Sequence, residues 1–250
     1  MQSFMGWIGG KRALRKTILE QFPQDITRYI EVFGGAGWVL FGKDPGRHLE
    51  VFNDADGSLI NMYRCIKYHP EALAAELQGL PQSREIFFDC QEQTDRRGYT
   101  DIQRAARTLY LIKMSFGSDR RTFATAQRIA SNISSPFSDI QERLRKVVIE
   151  NLDFEQLIHT YDRPGAFFYC DPPYMGTERY YQHPFAPADH ERLARVLHGI
   201  KGRYLVSYND CAEVRSLYRD CTIQPVTRHN SLPGVPGKDP IYNEVLIRNY

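Results

Sequence analysis

Residues 167–174 have the sequence Phe-Phe-Tyr-Cys-Asp-Pro-Pro-Tyr, an aromatic run followed at once by an acidic residue and two prolines. Four apolar residues in succession predict a buried strand over Phe167–Cys170. Pro172 and Pro173 cannot continue the hydrogen-bonding ladder of a central strand, so the strand ends at Asp171. The carboxylate of Asp171 is therefore expected at the carboxyl end of this strand.

The same order of strand and polar turn recurs on both sides of this stretch. Tyr29–Phe33 is stopped by Gly34–Gly37, and His48–Phe52 ends at Asn53-Asp54. Further strands are predicted at 146–149, 203–207 and 243–248. Helical periodicity is found between them, at 11–21, 58–67, 154–159, 188–200 and 212–219. This alternation predicts an α/β fold with a doubly wound parallel sheet, whose ligands bind beyond the carboxyl ends of the strands. The groups expected to share one crevice are Gly34–Gly37, Asp54, Asp153 and Asp171.

The alternation pauses between residues 70 and 146, where the pattern is mainly helical. Glu71–Leu77 and Ile102–Met114 are the clearest helices, and Phe116–Ser135 is a polar stretch. We therefore predict a catalytic core formed by residues 1–64 and 147–250, and an inserted, mainly helical domain at residues 65–146.

Positive charge is concentrated in this middle region. The whole chain carries a net charge of +2, whereas Arg96–Lys146 holds eleven basic and four acidic residues. A patch of this kind is suited to neutralising phosphates and releasing their counterions. A solvated face without a ligand is the alternative interpretation.

Composition excludes several classes of protein. With 250 residues, 42% of them hydrophobic, the chain can bury a full core. The sequence shows neither a bilayer-length apolar run nor the apolar core of a secretory signal, so we predict a cytoplasmic protein without a membrane partner. The five scattered cysteines suggest neither disulfides nor zinc, the seven histidines lack metal-ligand spacing, and no cysteine follows a proline as cytosine C5 methylation requires.

Six short motifs together resemble one family, the D12 class or Dam type of adenine-specific DNA methyltransferases. The motifs occur in the family's order at Trp7–Lys11, Phe33–Gly37, Asn53-Asp54, Asp153-Phe154, Asp171–Tyr174 and Glu244–Ile247. The resemblance implies a class I S-adenosylmethionine-dependent methyltransferase fold, with a Rossmann-like mixed sheet and a target-recognition domain inserted at 65–146. It also implies methyl transfer to N6 of an adenine flipped out of double-stranded DNA, with S-adenosylhomocysteine as the second product.

The resemblance assigns catalysis to Asp171, Pro172, Pro173 and Tyr174. The adenine amine is a poor nucleophile, because its lone pair is delocalised into the ring. The Asp171 carboxylate and the Pro172 carbonyl accept its two hydrogens, the prolines stiffen the loop, and Tyr174 offers an aromatic face to the base. No metal is needed. A proline-rich strand terminator with Tyr174 in the core is the alternative.

The family assigns Phe33, Gly34, Gly35, Ala36 and Gly37 to the methionine part of the cofactor. They do not form a dinucleotide fingerprint, because the third glycine of that motif would fall at Leu40. A plain strand-to-helix turn is the alternative interpretation.

Asp54 is expected to receive the ribose hydroxyls of the cofactor. A helix N-cap is its alternative role, although Asp56 is the better cap candidate. By resemblance, Trp7 and Lys11 also line the cofactor site, with an exposed lysine as the alternative for Lys11. Asp153 and Phe154 are expected to hold the cofactor adenine, with an N-cap as the alternative for Asp153. Asp171 also borders the cofactor.

Residues 115–135 lie where the family carries its target-recognition region. Five residues are predicted to contact DNA: Arg120, Arg121, Gln127, Arg128 and Asn132. The arginines suit phosphates or guanine, and the amides suit adenine.

Three rival functions share this fold. Methylation of RNA adenine or of cytosine N4 uses the same fold, but those relatives usually carry Ser or Asn at the position of Asp171. A non-catalytic DNA-binding relic of the fold is the third hypothesis. A cognate restriction endonuclease is not inferable from the sequence.

Overall fold

The structure is a computed structural model that describes residues 1–93, 98–125, 133–178, 185–229 and 241–250. Its strands are β1 Arg28–Glu31, β2 Leu49–Asn53, β3 Val147–Glu150, β4 Ala166–Cys170, β5 Arg203–Asn209, β6 Thr222–His229 and β7 Ile241–Arg248. Its helices are α1 Arg15–Glu20, α2 Trp38–Gly42, α3 Gly57–Tyr68, α4 Pro70–Gln78, α5 Arg84–Gln93, α6 Asp101–Met114, α7 Phe137–Leu144, α8 Phe154–Tyr161, α9 Pro187–His198 and α10 Ala212–Leu217, with a 3₁₀ turn at Phe116–Ser118.

The strands form one mixed sheet in the order β3-β2-β1-β4-β5-β7-β6. The neighbours among β1–β5 pair in parallel, as the alternation of elements predicts. β7 pairs antiparallel with both β5 and β6. The sheet is therefore mixed, as the family resemblance implies, and not wholly parallel, as the alternation of elements alone predicts. A parallel neighbour needs a long crossover, whereas β6 and β7 are consecutive strands and pair directly.

The sequence prediction missed β6. Its sequence, TIQPVTRH, interrupts the apolar residues with polar ones and with Pro225. The strand is tolerated because it lies at the edge of the sheet, where a missing backbone N–H costs no ladder bond.

The sheet has a hydrophobic core on each face, and β4 contributes to both. Phe167 and Tyr169 enter the core beneath α3 and α6. Ala166, Phe168 and Cys170 enter the core beneath α8 and α9. Because every residue of β4 is buried, the strand is uniformly apolar.

Three helices of the middle region, α4, α6 and α7, pack on α3, and α5 packs on α6. α6 begins with a capping box formed by Thr100 and Gln103, and both α6 and α7 contact α3. The predicted boundary between residues 64 and 65 falls inside α3. The division into a core and an inserted domain therefore stays a prediction.

The predicted helix at 11–21 is shorter in the structure, where it begins at Arg15 and ends at Glu20, and Lys11 lies before it in a buried position. In the part of the chain that the structure describes, no helix is both long and apolar enough to cross a membrane.

Candidate active site

The carboxyl ends of β1, β2 and β4 open into one cleft with about 970 Å³ of empty space. This volume includes the part of the cleft that is open to solvent. The residues of the cleft wall that were predicted from the sequence are Trp7, Lys11, Phe33, Gly34, Gly35, Ala36, Asp54, Asp171 and Pro173. Residues separated by more than 160 positions in the chain thus meet in one place, because parallel strands end at the same edge of the sheet.

The turn after β1 is built for glycine. Gly35 and Gly37 have φ of +50° and +66°, in the left-handed region. A Cβ on Gly35 would lie 2.7 Å from Trp7 Nε1, and a Cβ on Gly34 would lie 2.3 Å from Phe52 Cζ. The glycines therefore allow Trp7 to pack against the backbone beside the cleft, and they leave backbone groups facing it.

Asp54 is held rigidly against this turn. Its carboxylate accepts hydrogen bonds from the N–H groups of Gly35 and Asp56, each at 2.9 Å. Burial raises its pKa to about 6, and the two backbone N–H groups oppose that rise. Asp56, not Asp54, caps α3, since its carboxylate accepts from the N–H groups of Ser58 and Leu59. The carboxylate of Asp54 is therefore fixed at the cleft wall.

Asp171 lies at the end of β4, as predicted, and two other elements hold its side chain. Its Oδ1 lies 2.7 Å from the ammonium of Lys11 and accepts a 2.8 Å hydrogen bond from Ser207 Oγ on β5. Burial raises the pKa of the Asp171 carboxyl, and the ammonium of Lys11 opposes this rise. The carboxylate is thereby aimed into the cleft in a fixed orientation.

Lys11 lies deep in the site, so the alternative of an exposed lysine is wrong. It is 4% exposed and donates to the carbonyl of Gly9 at 3.0 Å. Its ammonium also lies 4.5 Å from the centre of the Tyr174 ring and 4.0 Å from Glu244 Oε2. Lys11 therefore contacts both ends of the Asp171–Tyr174 motif.

The loop after Asp171 is anchored on its far side. Pro172 and Pro173 are buried. The hydroxyl of Tyr174 donates to Glu244 on β7, and Glu244 also accepts from Arg228 on β6. Asn209, at the end of β5, accepts a 3.2 Å hydrogen bond from the N–H of Met175. These contacts leave Tyr174 half-buried at the edge of the site.

Asp153 and Phe154 lie beside the cleft rather than in its described wall. Asp153 caps α8 through the N–H of Glu155 and forms an ion pair with Arg192, with N–O distances of 2.9 Å. The guanidinium of Arg192 lies 4.0 Å from the centre of the Phe154 ring. Phe154 packs behind Phe33, with ring centres 5.8 Å apart. Of this group, only Phe33 faces the cleft.

Two of the five residues predicted to bind DNA, Arg120 and Arg121, lie among the described residues. Arg120 is buried at 7% exposure, forms a 2.7 Å ion pair with Asp56, and lies 5.2 Å from the Trp7 ring in the cleft wall. Arg121 is exposed. The other three predicted contacts, Gln127, Arg128 and Asn132, lie outside the described residues.

Four supporting residues were not predicted from the sequence: Glu31, Ser207, Asn209 and Arg228. Glu31 lines the cleft, accepts a 2.7 Å hydrogen bond from the Tyr29 hydroxyl, and has its pKa raised to about 8 by burial. An acidic residue inside the apolar run YIEVF was a usable signal for Glu31. Ser207, Asn209 and Arg228 have no local pattern that marks them, because only the pairing of β5, β6 and β7 brings them to the site.

Metal ligands do not cluster here. Across the described ranges, no group of three His, Cys, Asp or Glu side chains is placed to hold a metal ion.

The fold and the cleft at the ends of β1, β2 and β4 place the protein among the class I S-adenosylmethionine-dependent methyltransferases. The model of the D12 class N6 adenine-specific DNA methyltransferases matches residues 7–232. The chain belongs to this family and is an adenine-specific DNA methyltransferase, which confirms the predicted family, fold and activity. The family implies S-adenosylmethionine as methyl donor and DNA as substrate.

Individual relatives are similar over nearly the whole chain. The Type II methyltransferase M1.LlaDCHI of Lactococcus lactis subsp. cremoris is 27% identical over 279 residues, covering 100% of this chain and 96% of the relative. The Retron Ec67 DNA adenine methylase of Escherichia coli is 26% identical, covering 98% of this chain and 90% of the relative. The DNA adenine methylase of Haemophilus influenzae is 22% identical, covering 94% of this chain and 89% of the relative.

Proposed function

We propose that the cleft binds S-adenosylmethionine and that Asp171, Pro172 and Tyr174 receive the target adenine at its inner end. The single observation that carries this proposal is the placement of the Asp171 carboxylate, held by Lys11 and Ser207, in the same cleft as the glycine turn and Asp54. A methyl donor and an acceptor amine must meet within bonding reach, and one continuous cleft provides that proximity.

The residues of the cleft suit the proposed cofactor. The turn at Gly34–Gly37 leaves backbone beside the cleft that any larger residue would cover. The Asp54 carboxylate, with its backbone partners in place, is suited to accept hydrogen bonds from ribose hydroxyls. Trp7 and Trp38 provide aromatic walls. When bound, S-adenosylmethionine supplies an electrophilic methyl group on a sulfonium centre.

The chain's own residues prepare the amine. The Asp171 carboxylate and the carbonyl of Pro172 accept its two hydrogens, which draws the lone pair of nitrogen out of conjugation with the ring. The hydrogen bond from Ser207 to Asp171 and the stiff proline loop fix both acceptors before the base arrives, so little reorganisation is needed at the moment of reaction. The buried Pro172 and Pro173 keep the loop stiff and exclude water around it.

Duplex DNA is the proposed partner, and its target base must leave the stack to reach Asp171. The support is the basic segment Arg96–Lys146 together with the family membership. We propose residues 65–146 as the recognition region, with Arg121, Gln127, Arg128 and Asn132 as its DNA contacts. Because its substrate is DNA, we propose that the enzyme acts in the cytoplasm.

The decisive experiment combines purified protein, methyl-labelled S-adenosylmethionine and plasmid DNA. The DNA is digested to nucleosides, and the modified base is identified by mass. N6-methyladenine is expected. Label in cytosine, or label only when RNA replaces DNA, would support the rival substrates instead. Cofactor binding without transfer to any nucleic acid would support the non-catalytic relic.

The site assignment is tested by the variant Asp171→Ala. We expect loss of methyl transfer with cofactor affinity retained, measured as quenching of tryptophan fluorescence. Both tryptophans of the chain line the cleft, so this signal reports on the cofactor directly. Asp220→Ala, a change of an exposed aspartate outside the cleft and outside residues 65–146, is the matched control and should keep full activity. Normal transfer by Asp171→Ala would remove that residue from the reaction.

A further inference from the structure

Lys11 occupies the place at which the target adenine is expected. Its side chain is 3% exposed, and its ammonium lies 2.7 Å from Asp171 Oδ1 and 4.5 Å from the centre of the Tyr174 ring. The proposed function assigns the same two groups to the adenine, the carboxylate for its amine and the aromatic face for its ring. An ammonium and an amine both donate N–H groups, so they compete for these positions.

The ring of Tyr174 is covered rather than open. Lys11, Asp171 and Pro173 line the cleft, whereas Tyr174 is not among the described residues of its wall. The ammonium of Lys11 lies over the ring, and Tyr208 packs against it with ring centres 6.1 Å apart. A purine can stack on Tyr174 from the cleft only after the Lys11 side chain moves.

Glu244 offers Lys11 a second carboxylate. Its Oε2 lies 4.0 Å from the Lys11 ammonium, and the residue is 1% exposed. The Gly9 carbonyl accepts a 3.0 Å hydrogen bond from the same ammonium. An ammonium group has three donors, so Lys11 can keep its bond to Gly9 while moving about 1 Å to bring Glu244 within hydrogen-bond distance.

We propose that Lys11 is a placeholder in the target pocket and that Glu244 is its second acceptor. With no base in the pocket, the ammonium pairs with Asp171 and covers Tyr174. When adenine enters, the ammonium turns to Glu244 and leaves both groups to the base. This inference rests on the proposed function. Lys11 acts at the reacting groups themselves, whereas Glu244 is a positioning residue.

The exchange leaves the net charge of the site unchanged, since the same two carboxylates and two cations are present in both arrangements. Asp171 exchanges the ammonium for an N–H of the amine and keeps the hydrogen bond from Ser207. The ammonium always has a carboxylate partner, and Arg228 holds Glu244 throughout. A buried charge left without a partner would cost far more than the exchange of one partner for another. Burial raises the pKa of the Asp171 carboxyl, and the ammonium of Lys11 opposes that rise in the empty enzyme.

The test uses Glu244→Gln and a fluorescent base. The recognition sequence is first mapped on methylated plasmid, and a duplex oligonucleotide is then made with 2-aminopurine at the target position. This base keeps the purine face but lacks the 6-amine, so its fluorescence reports extrusion and stacking on Tyr174 alone. Glutamine still accepts from Tyr174 but no longer attracts the ammonium by charge. We expect base insertion to fall about tenfold, with S-adenosylhomocysteine affinity unchanged.

Two comparisons separate the exchange from a structural role of Glu244. Glu191→Gln, a change of an exposed glutamate in α9, should leave insertion as in the wild type. Lys11→Met should increase insertion, and the double variant Lys11→Met/Glu244→Gln should recover it, because no placeholder remains. Unchanged insertion in Glu244→Gln, or a defect that persists in the double variant, would overturn the exchange.

The remaining outcomes distinguish this inference from the proposed function. A wild-type protein that binds the duplex but neither extrudes the base nor methylates DNA would overturn the proposed function itself. If the wild-type protein extrudes the base and methylates DNA, but the Lys11 and Glu244 variants do not change base insertion as expected, only the placeholder role of Lys11 is overturned. If Glu244→Gln does not fold, Lys11→Met carries the test, since no gain in insertion would contradict the proposal.

Discussion

Replacing Arg120 should weaken cofactor binding and stability while leaving the DNA contact almost intact. Its guanidinium forms a 2.7 Å ion pair with Asp56, and the two side chains are only 8% and 13% exposed. It also lies 5.2 Å from the ring of Trp7, which borders the glycine turn. Arg120→Ala leaves the Asp56 carboxylate buried with only its backbone partners.

The magnitude follows from that geometry. Removing one partner of a buried ion pair typically costs about 3 kcal/mol. In a domain of this size, such a loss lowers the midpoint of thermal unfolding by roughly 6–12 °C. Cofactor affinity should fall as well, because Trp7 loses the cation that packs on its ring.

The assay compares Arg120→Ala with Arg121→Ala, its exposed neighbour. Each variant is measured by thermal unfolding, by quenching of tryptophan fluorescence with S-adenosylhomocysteine, and by DNA binding over a range of salt concentrations. Arg121→Ala should keep its unfolding midpoint and cofactor affinity but reduce the salt slope of DNA binding by about 1. Arg120→Ala should lower the unfolding midpoint and the cofactor affinity but leave the salt slope of DNA binding unchanged. A reduced salt slope in Arg120→Ala, with cofactor affinity unchanged, would return Arg120 to the DNA interface and refute the argument.

Three further outcomes are expected. Gly35→Ala should fold but lose the quenching of tryptophan fluorescence by the cofactor, because the new Cβ would lie 2.7 Å from Trp7 Nε1 at a φ of +50°. Normal quenching would show that the turn can adjust. Asp54→Asn should weaken cofactor binding about tenfold, since the ribose hydroxyls lose a charged acceptor, and equal affinity by fluorescence titration would contradict that role. Glu31 has its pKa raised from 4.5 to about 8, so the folded state binds its proton more tightly and its contribution to stability falls as pH rises from about 4.5 to 8. In Glu31→Gln the loss of stability between pH 6 and pH 8.5 should be absent. If urea unfolding gives the same loss of stability for the wild type and for the variant, the pH dependence does not come from Glu31.

Much of the fold was predictable because its signals are local. The apolar runs of β1, β2, β4 and β5 and the helices between them follow from the spacing of apolar residues. β6 was missed because an edge strand is partly exposed to solvent. Its sequence therefore mixes polar and apolar residues and does not form an apolar run. The direction of β7 was equally hidden, because the sequence of a strand does not show which way its neighbours run.

The candidate site was predictable where a strand end carries its own marker. The turn at Gly34–Gly37, Asp54 and Asp171 each follow directly on a strand, and the structure brings them to one cleft. Asp153 follows a strand as well, but its contact with Arg192 from α9 holds it beside the cleft. That contact depends on helix packing, which no spacing within residues 150–160 reveals.

The sequence by itself determined the class of fold, the family and the main chemical groups, because strand periodicity, glycine turns and the Asp171–Tyr174 run are written in consecutive residues. Only the tertiary structure decided how those groups are held. It buried Arg120 beside Trp7, and it set Lys11 between Asp171 and Glu244, a residue more than 230 positions away in the chain. The physical reason is that burial and ion pairing depend on which elements pack together, and distant elements meet only when the sheet assembles.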